Sequence, residues 1–337
     1  MALSVIILSY NVEKLLRKAI QAVYDSIQEN CKCKLTDKLN ADGHPLKTKG
    51  YPDRKVVGGC HNTYNDEDLQ VIVVDNASSD GSVEMVKKNF PKVDIVKSGT
   101  NMGFAAGNNF ARKSAKGDVV LFLNPDTEVK GQAINKCLEI LTSRSELGAI
   151  TCKVMLPNGK LDYSCHRGLP TVWNTFCFWS GFSKVFPKSP IFAGYKATYL
   201  DTNKGHYIDC ISGTFLMIKR KVLDEINWWD SDYWWNGEDI ELCYRIKKAG
   251  YKIWYEPSEI MMHYKGSSSG LWSTSKVIVA KETKIKSAKS AARAMRIFTN
   301  KHWKELGPWP VMIIVKMGIS ILEKYRLWKI QSGINYA

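Results

Sequence analysis

Near-continuous apolar runs recur through the first third of the chain, and each ends in polar residues. Residues 3–8 and 71–74 have the composition of strands buried on both faces of a parallel sheet, and 93–96 and 118–123 read as a third and a fourth strand. Between them the hydrophobic period becomes helical. Leu15, Leu16, Ala19, Ile20, Val23 and Ile27 line one side of a helix predicted over 13–27. Asp80 or Ser79 is placed to cap a second helix through Val83, Val86 and Phe90. The small residues of 101–109 open a third, running to about Ala115. Alternation of this kind predicts right-handed crossovers and an α/β fold, with a mostly parallel central sheet flanked by helices.

Farther along, the pattern predicts a helix over 132–141, a strand over 149–156, β character over 207–218 and a short helix over 219–226. Residues 168–205 have little periodicity and many aromatics, which suits short elements facing a substrate. Residues 251–257 read as a strand stopped by Pro257, with a separate strand over 260–264. From Lys276 onward the chain is helical and basic. Its apolar segment, 311–322, is interrupted by Lys316 and falls short of the roughly 20 residues of a membrane span. A core-packed helix accounts for it; a basic amphipathic surface on anionic lipid is the rival.

Residues 28–68 lose the pattern and read as a long insertion. Cys31, Cys33, Cys60 and His61 within it are zinc-ligand types, though their spacing is unusual. Incidental thiols in a loop are the plainer expectation.

Three of the strands end in Ser9-Tyr10-Asn11, Asp75-Asn76 and Asn124-Pro125-Asp126. Ligands of open parallel sheets bind outside the carboxyl ends of the strands, so these residues belong at one crevice. The first turn lacks the glycine fingerprint of dinucleotide folds. A nucleotide held by a tyrosine face, an acid and a metal is expected there.

The composition, 45% hydrophobic and 24% charged over 337 residues, is that of a globular protein with one large domain or two small ones. A net charge of +15 predicts attraction to nucleic acid, nucleotide diphosphates or an acidic membrane surface. No nucleic-acid recognition motif accompanies it. Nine scattered cysteines point to a reducing cytosol, and the first residues lack the basic segment of a signal peptide.

A second concentration of chemistry is Trp234-Trp235-Asn236-Gly237-Glu238-Asp239, which opens a helix ended by Gly250. The helix dipole favours a carboxylate in the first turn, which is expected to stay ionised as a base must. Aromatic faces beside carboxylates suit a sugar, whose CH faces stack while its hydroxyls hydrogen-bond. A capped helix over an aromatic core fits the same residues. Of the four nearby tryptophans, Trp234 and Trp235 rather than Trp228 and Trp229 are assigned to an acceptor.

Together, residues 5–11, 71–81, 101–109, 121–127, 212–217, 237–245, 250–257 and 263–269 resemble the family 2 glycosyltransferases of the A-type nucleotide-sugar fold, and especially their rhamnosyltransferase-like bacterial members. The resemblance runs from the start to about residue 270, apart from the insertion. It implies a catalytic domain over 1–270, its nucleotide-binding half at about 1–130 and its acceptor half at about 131–270, followed by a basic helical extension over 271–337. It further implies that Asp75 and Asn76 bind the donor base, that Ser9, Tyr10 and Asn11 pack on base and ribose, and that Asn101, Gly103 and Asn108 line the donor pocket. Asn124-Pro125-Asp126 corresponds to the family's aspartate motif. Asn in its first position means one fewer charge and weaker metal binding. Asp126, with His263 as a further ligand, would hold Mg2+ or Mn2+ on the diphosphate. Glu238-Asp239 corresponds to the acid pair of the acceptor side: Asp239 as base, Glu238 orienting it or binding acceptor hydroxyls, with Gly213, Trp234 and Trp235 around the acceptor.

The implied function is inverting transfer from dTDP-rhamnose or a UDP-sugar to a saccharide or lipid-linked acceptor in cell-surface polysaccharide synthesis. The implied place is the cytoplasm, with peripheral contact on the inner face of the membrane. The lack of a membrane span argues against a processive synthase that exports its product. The alternative is a catalytically silent sugar-nucleotide-binding or scaffold protein, disfavoured by the presence of both Asp126 and Asp239.

Overall fold

The computed structural model describes residues 2–32, 68–264 and 281–332. Cys33, Cys60, His61 and the side chain of Cys31 lie outside the described residues, and the zinc expectation with them. Strand β1 (Leu3–Ser9) leads into helix α1 (Glu13–Lys32), and β2 (Leu69–Asp75) into α2 (Ser82–Asn89). Next come β3 (Asp94–Lys97), α3 (Gly103–Phe110) and β4 (Val119–Leu123). β1, β2 and β4 are almost wholly buried, as their unbroken apolar runs demand. Asp80 ties the first two helices together. Its carboxylate accepts from the amides of Glu13 (2.9 Å) and Ser82 (3.1 Å), so it serves both N-termini.

The second half begins with β5 (Thr127–Val129), α4 (Ala133–Ser143) and β6 (Leu147–Met155). The aromatic stretch forms α5 (Val172–Ser180) and α6 (Phe182–Val185). β7 (His206–Ile208), β8 (Phe215–Lys219), α7 (Arg220–Glu225), α8 (Glu238–Lys248) and β9 (Lys252–His263) complete the sheet region. Two long helices follow, α9 (Lys281–Leu306) and α10 (Trp309–Gln331).

Among the described residues one nine-stranded sheet runs β3-β2-β1-β4-β8-β6-β9-β5, with β7 also on β9. The run β3-β2-β1-β4 is parallel, as predicted. β8 is antiparallel to both β4 and β6, and β5 and β7 are antiparallel to β9, so the acceptor half is mixed. The predicted stop at Pro257 does not occur; β9 is one strand. Its register on β6 jumps from Cys152 opposite Glu256 to Lys153 opposite Ile260. Residues 257–259 therefore bulge out of the ladder, where proline's missing N–H leaves no pairing unmade. The extra length carries His263 to a position opposite Thr127 of β5.

The C-terminal helices divide the two expectations for the tail. α9 packs on the domain: Phe298 and Ala294 cluster with Tyr233, Ile240 and Tyr244. α10 packs on α9, with Arg296 paired to Glu323 at 2.6 Å, yet buries only Met312, Ile319 and Ile330 well. Among the described residues no helix is long and apolar enough to cross a membrane.

Candidate active site

The carboxyl ends of β1, β2 and β4 do meet at one edge. Asn76 N–H donates to Ser9 O at 2.8 Å, and the Asn11 side chain accepts from Ser79 N–H at 2.7 Å. Asp75 is buried, and its Oδ1 accepts from Ser78 N–H at 3.2 Å, which shapes the turn after β2. Tyr10, which follows β1, stands half-exposed. Two non-glycine residues, Asn11 (φ 53°) and Ala77 (φ 69°), hold left-handed backbone here. Such conformations cost of order 1–3 kcal/mol and cluster at binding sites.

Asn76 is the hub of the donor-side loop. Its Nδ2 donates to Asn101 Oδ1 (3.1 Å) and Gly103 O (3.2 Å), and its Oδ1 accepts from Met102 N–H (2.8 Å). Gly103 has φ 78°, and a Cβ there would collide with the Trp234 carbonyl. That carbonyl accepts from Phe104 N–H at 2.8 Å. The first turn of α3 thereby clamps the tryptophan segment against the donor loop. Asn108 does not reach into this loop. It is buried and donates to Phe104 O within its own helix, whereas Asn109 bonds the Trp229 backbone.

Asp126 and His263 are brought together by the β5–β9 pairing. His263 Nε2 lies 3.5 Å from Asp126 Oδ1, and its Nδ1 is 2.8 Å from Asp162 Oδ2. All three side chains are buried. Burial would lower the pKa of His263, but the bonds to Asp126 and Asp162 outweigh it and raise the imidazole above its ordinary value. A carboxylate behind a histidine, fixing its ring and tautomer, is the usual support of a histidine ligand. Among the described residues no group of three His, Cys, Asp or Glu side chains forms a metal cage. A carboxylate and an imidazole brought together in this way are donor types that fit Mg2+ or Mn2+, whose remaining ligands would come from diphosphate and water.

Asp239 sits in the first turn of α8 and forms an ion pair with Arg167, Nη2 to Oδ2 2.6 Å, both side chains about 15% exposed (16% and 15%). Arg167 was not anticipated from the sequence. It lies in an aperiodic stretch, and nothing local marks it. Burial would lower its pKa, but the Asp239 charge more than offsets this and holds the guanidinium above its usual value. Neighbouring His166 is neutral, pushed down to about 4 by burial and by His206. Glu238, beside Asp239, differs from a first-turn carboxylate kept ionised by the helix dipole. Burial, then the Asp239 charge, push it up to about 8, so one acid of the pair is protonated at neutral pH while the other pairs with arginine.

Trp228 and Trp229 are core, packed edge-on to Phe122. Trp234 is half-exposed, and the Trp235 carbonyl accepts from Ser290 Oγ of α9. Gly213 lies under Phe104 and Trp229; a Cβ there would come within 2.9 Å of the Phe104 ring. Its position serves close packing beneath the crevice. Asn124 N–H donates to Thr214 O (3.1 Å), joining the aspartate motif to the same floor. Among the described residues, Ser9 Oγ, Arg167 Nε, Asn236 Nδ2 and Glu238 Oε2 are buried without a hydrogen-bond partner. Orphaned polar groups of this kind are costly, and those of Arg167 and Glu238 lie beside Asp239, where the hydroxyls of a ligand would complete them.

The sequence profile described as glycosyl transferase family 2 matches residues 54–227. An N-acetylglucosaminyl-diphospho-decaprenol L-rhamnosyltransferase of Mycobacterium tuberculosis (strain H37Rv) is 24% identical over 217 residues, 60% of this chain and 68% of its own. The rhamnosyltransferase WbbL of Escherichia coli (strain K12) is 28% identical over 210 residues, 59% of this chain and 74% of its own. In fold, the chain is similar to a mannosyltransferase of Pyrobaculum calidifontis solved with GDP-Man and Mn2+, with a TM-score of 0.54 and 15% identity across 98% of this chain and 73% of that one.

Proposed function

The chain belongs to glycosyl transferase family 2, and from that premise we propose that it is an inverting transferase moving a sugar, rhamnose in the first instance, from a nucleoside diphosphate to a saccharide or lipid-linked acceptor of a cell-surface polysaccharide. Glycosyl transfer itself follows from the family. The donor (dTDP-rhamnose or a UDP-sugar) and the acceptor class are supported by the rhamnosyltransferases among its relatives.

One observation carries the mechanism. Residues 162–167 connect the Asp126–His263 pair, through Asp162, to the Asp239 carboxylate, through Arg167. In the proposed reaction Asp75 and the Asn76 loop receive the base, and Tyr10 packs on it. Asp126 and His263 are the residues that would hold a divalent cation, which would supply positive charge to the departing diphosphate. Asp239, held by Arg167, accepts the proton of the acceptor hydroxyl as its oxygen bonds to the sugar's anomeric carbon from the opposite face. The bond from that carbon to the diphosphate oxygen breaks, and the nucleoside diphosphate leaves with its electron pair. Glu238, protonated, donates to an acceptor or donor oxygen and so orients rather than competes as base. Trp234 stacks on the acceptor sugar. The basic helical extension adds peripheral contact with an anionic membrane.

The test is thermal unfolding with nucleoside diphosphates, with Mg2+, Mn2+ or chelator. A ligand that binds only the folded state raises the melting point by mass action. A rise with dTDP or UDP that requires metal, together with product formed from the matching sugar nucleotide, is the expected result. No shift with any nucleotide would return the protein to the silent-scaffold reading.

A further inference from the structure

α10 exposes a stripe that no described element covers. Ile313, Met317, Ile321, Tyr325 and Trp328 recur every three or four residues, and Ile321 is 65% exposed. On α5, Trp173, Phe176 and Trp179 stand three apart and are each about half-exposed (48%, 51% and 50%). A helix carrying such a stripe ordinarily buries it. The two stripes are not separate. The Arg326 guanidinium lies over the Trp179 ring, 5.3 Å from its centroid, joining the end of α10 to the end of α5. On α5–α6 the aromatics continue without a break, Phe176 to Phe182 at 6.1 Å and Phe182 to Phe192 at 5.9 Å.

The chemistry of this surface selects its partner. It combines tryptophan, tyrosine and phenylalanine with aliphatic side chains, and exposed lysines accompany it: Lys184 on α6, Lys188 just after it, and Lys316 and Lys324 on α10. Rings with one wet edge, aliphatic side chains that immerse and lysines that stay at headgroup level are the composition of elements lying in a bilayer interface. A protein interface of this apolar character would be depleted of lysine. The chain's net charge of +15 supplies long-range attraction to anionic lipid.

We infer that α5–α6 and α10 form one docking surface for an anionic lipid bilayer, with the Arg326–Trp179 contact as its seam. This deepens the membrane contact proposed above, which rested on the basic extension alone, by adding a second element from the catalytic domain. The surface is mechanically tied to the acceptor side. α10 packs on α9, and α9 grips the acceptor segment: Ser290 Oγ donates to Trp235 O, Ala294 packs against Gly237, Lys301 pairs with Asp230 and Asp232, and His302 is 2.9 Å from Glu241.

The experiment is flotation of the full chain with vesicles of phosphatidylcholine alone and of phosphatidylcholine with phosphatidylglycerol. Met317→Glu with Ile321→Glu probes α10, and Phe176→Ser with Trp179→Ser probes α5; melting points confirm folding. Transfer to a short, soluble acceptor and the solution oligomeric state are read in parallel. Wild type is expected to float with the anionic vesicles and to lose binding at high salt. Each double variant should lose roughly ten-fold or more in partition while keeping soluble transfer. A wild type that does not float, or α5 variants that bind as wild type does, would overturn the two-element surface. Variants that change the oligomeric state instead of lipid binding would assign the face to a second copy. Loss of soluble transfer in every protein, wild type included, would count against the glycosyltransferase reading and not against the docking surface.

Discussion

Asp162 and Arg167 stand at the two ends of one short turn and hold opposite parts of the site: Asp162 fixes His263 at 2.8 Å, and Arg167 fixes Asp239 at 2.6 Å. Asp162 also caps the turn itself, accepting from Ser164 N–H at 3.0 Å. The separation between the Asp126–His263 pair and Asp239, which the proposed displacement must keep constant, therefore depends on six consecutive residues.

Asp162→Asn should leave the fold intact and weaken the metal-dependent part of donor binding. Loss of a carboxylate that hydrogen-bonds a ligating histidine costs roughly 10- to 100-fold in metal affinity or activity. Asp126→Asn and His263→Ala should abolish the metal-dependent rise in melting point produced by the nucleoside diphosphate. Calorimetric titration of Mn2+ in the presence of nucleotide checks all three. Wild-type affinity in Asp162→Asn would mean that the carboxylate only packs there.

Asp239→Asn should lower kcat by about 10²- to 10⁴-fold, the range for a general base, with little change in the donor KM. Arg167→Met should lower kcat in the same sense but less, since the carboxylate remains and only its hold is lost. Arg167→Lys keeps the charge without the fork and should recover part of the loss. Steady-state kinetics with the donor varied separate these cases. A variant at Arg167 that raised the donor KM alone would place the guanidinium on the donor and not on the base.

Glu238 makes stability depend on pH in a defined direction. Its folded value, about 8, lies above the ordinary 4.5. Between those values the folded chain keeps a proton that the unfolded chain releases. Stability from this group is full below 4.5, declines as pH rises and is lost above about 8. The loss is on the order of a few kcal/mol. Glu238→Gln carries no such loss, so its denaturation midpoint should match wild type at pH near 5 and exceed it at pH near 9. Parallel curves for the two proteins across that range would refute the assignment.

Gly103→Ala should destabilise more than its backbone angle alone explains. Gly99 has nearly the same φ, 74° against 78°, but a Cβ at Gly99 meets nothing within 4 Å. Gly99→Ala should therefore cost only about 1 kcal/mol of strain, whereas Gly103→Ala must also push the Trp234 carbonyl away from Phe104 N–H, adding roughly 1–3 kcal/mol. Urea denaturation of both variants reads the difference. Equal losses would show that the tryptophan segment yields freely.

Much of this site was readable along the chain because local signals coincide with it. Unbroken apolar runs place β1, β2 and β4, and the polar residues that end them fall at one edge because parallel strands share a direction. Ser9, Asp75, Asn76 and Asp126 needed no further information. Asp239 was visible as an acid opening a helix after two tryptophans. Other features had no local signature. A proline inside β9 reads as a stop until the pairing with β6 shows that β9 carries it in a bulge. The protonation of Glu238 is set by burial that the helix dipole argument cannot anticipate. Arg167 lies 72 residues from Asp239, and Asp162 lies 101 from His263. Pairings over such distances are decided by how β6, β8 and β9 stack side by side. The sequence by itself determined which residues could do chemistry and the parallel half that gathers the donor side. Only the tertiary structure decided which charges meet, which acid keeps its proton and which apolar faces remain uncovered, because all three depend on burial and on contacts between segments that no local period encodes.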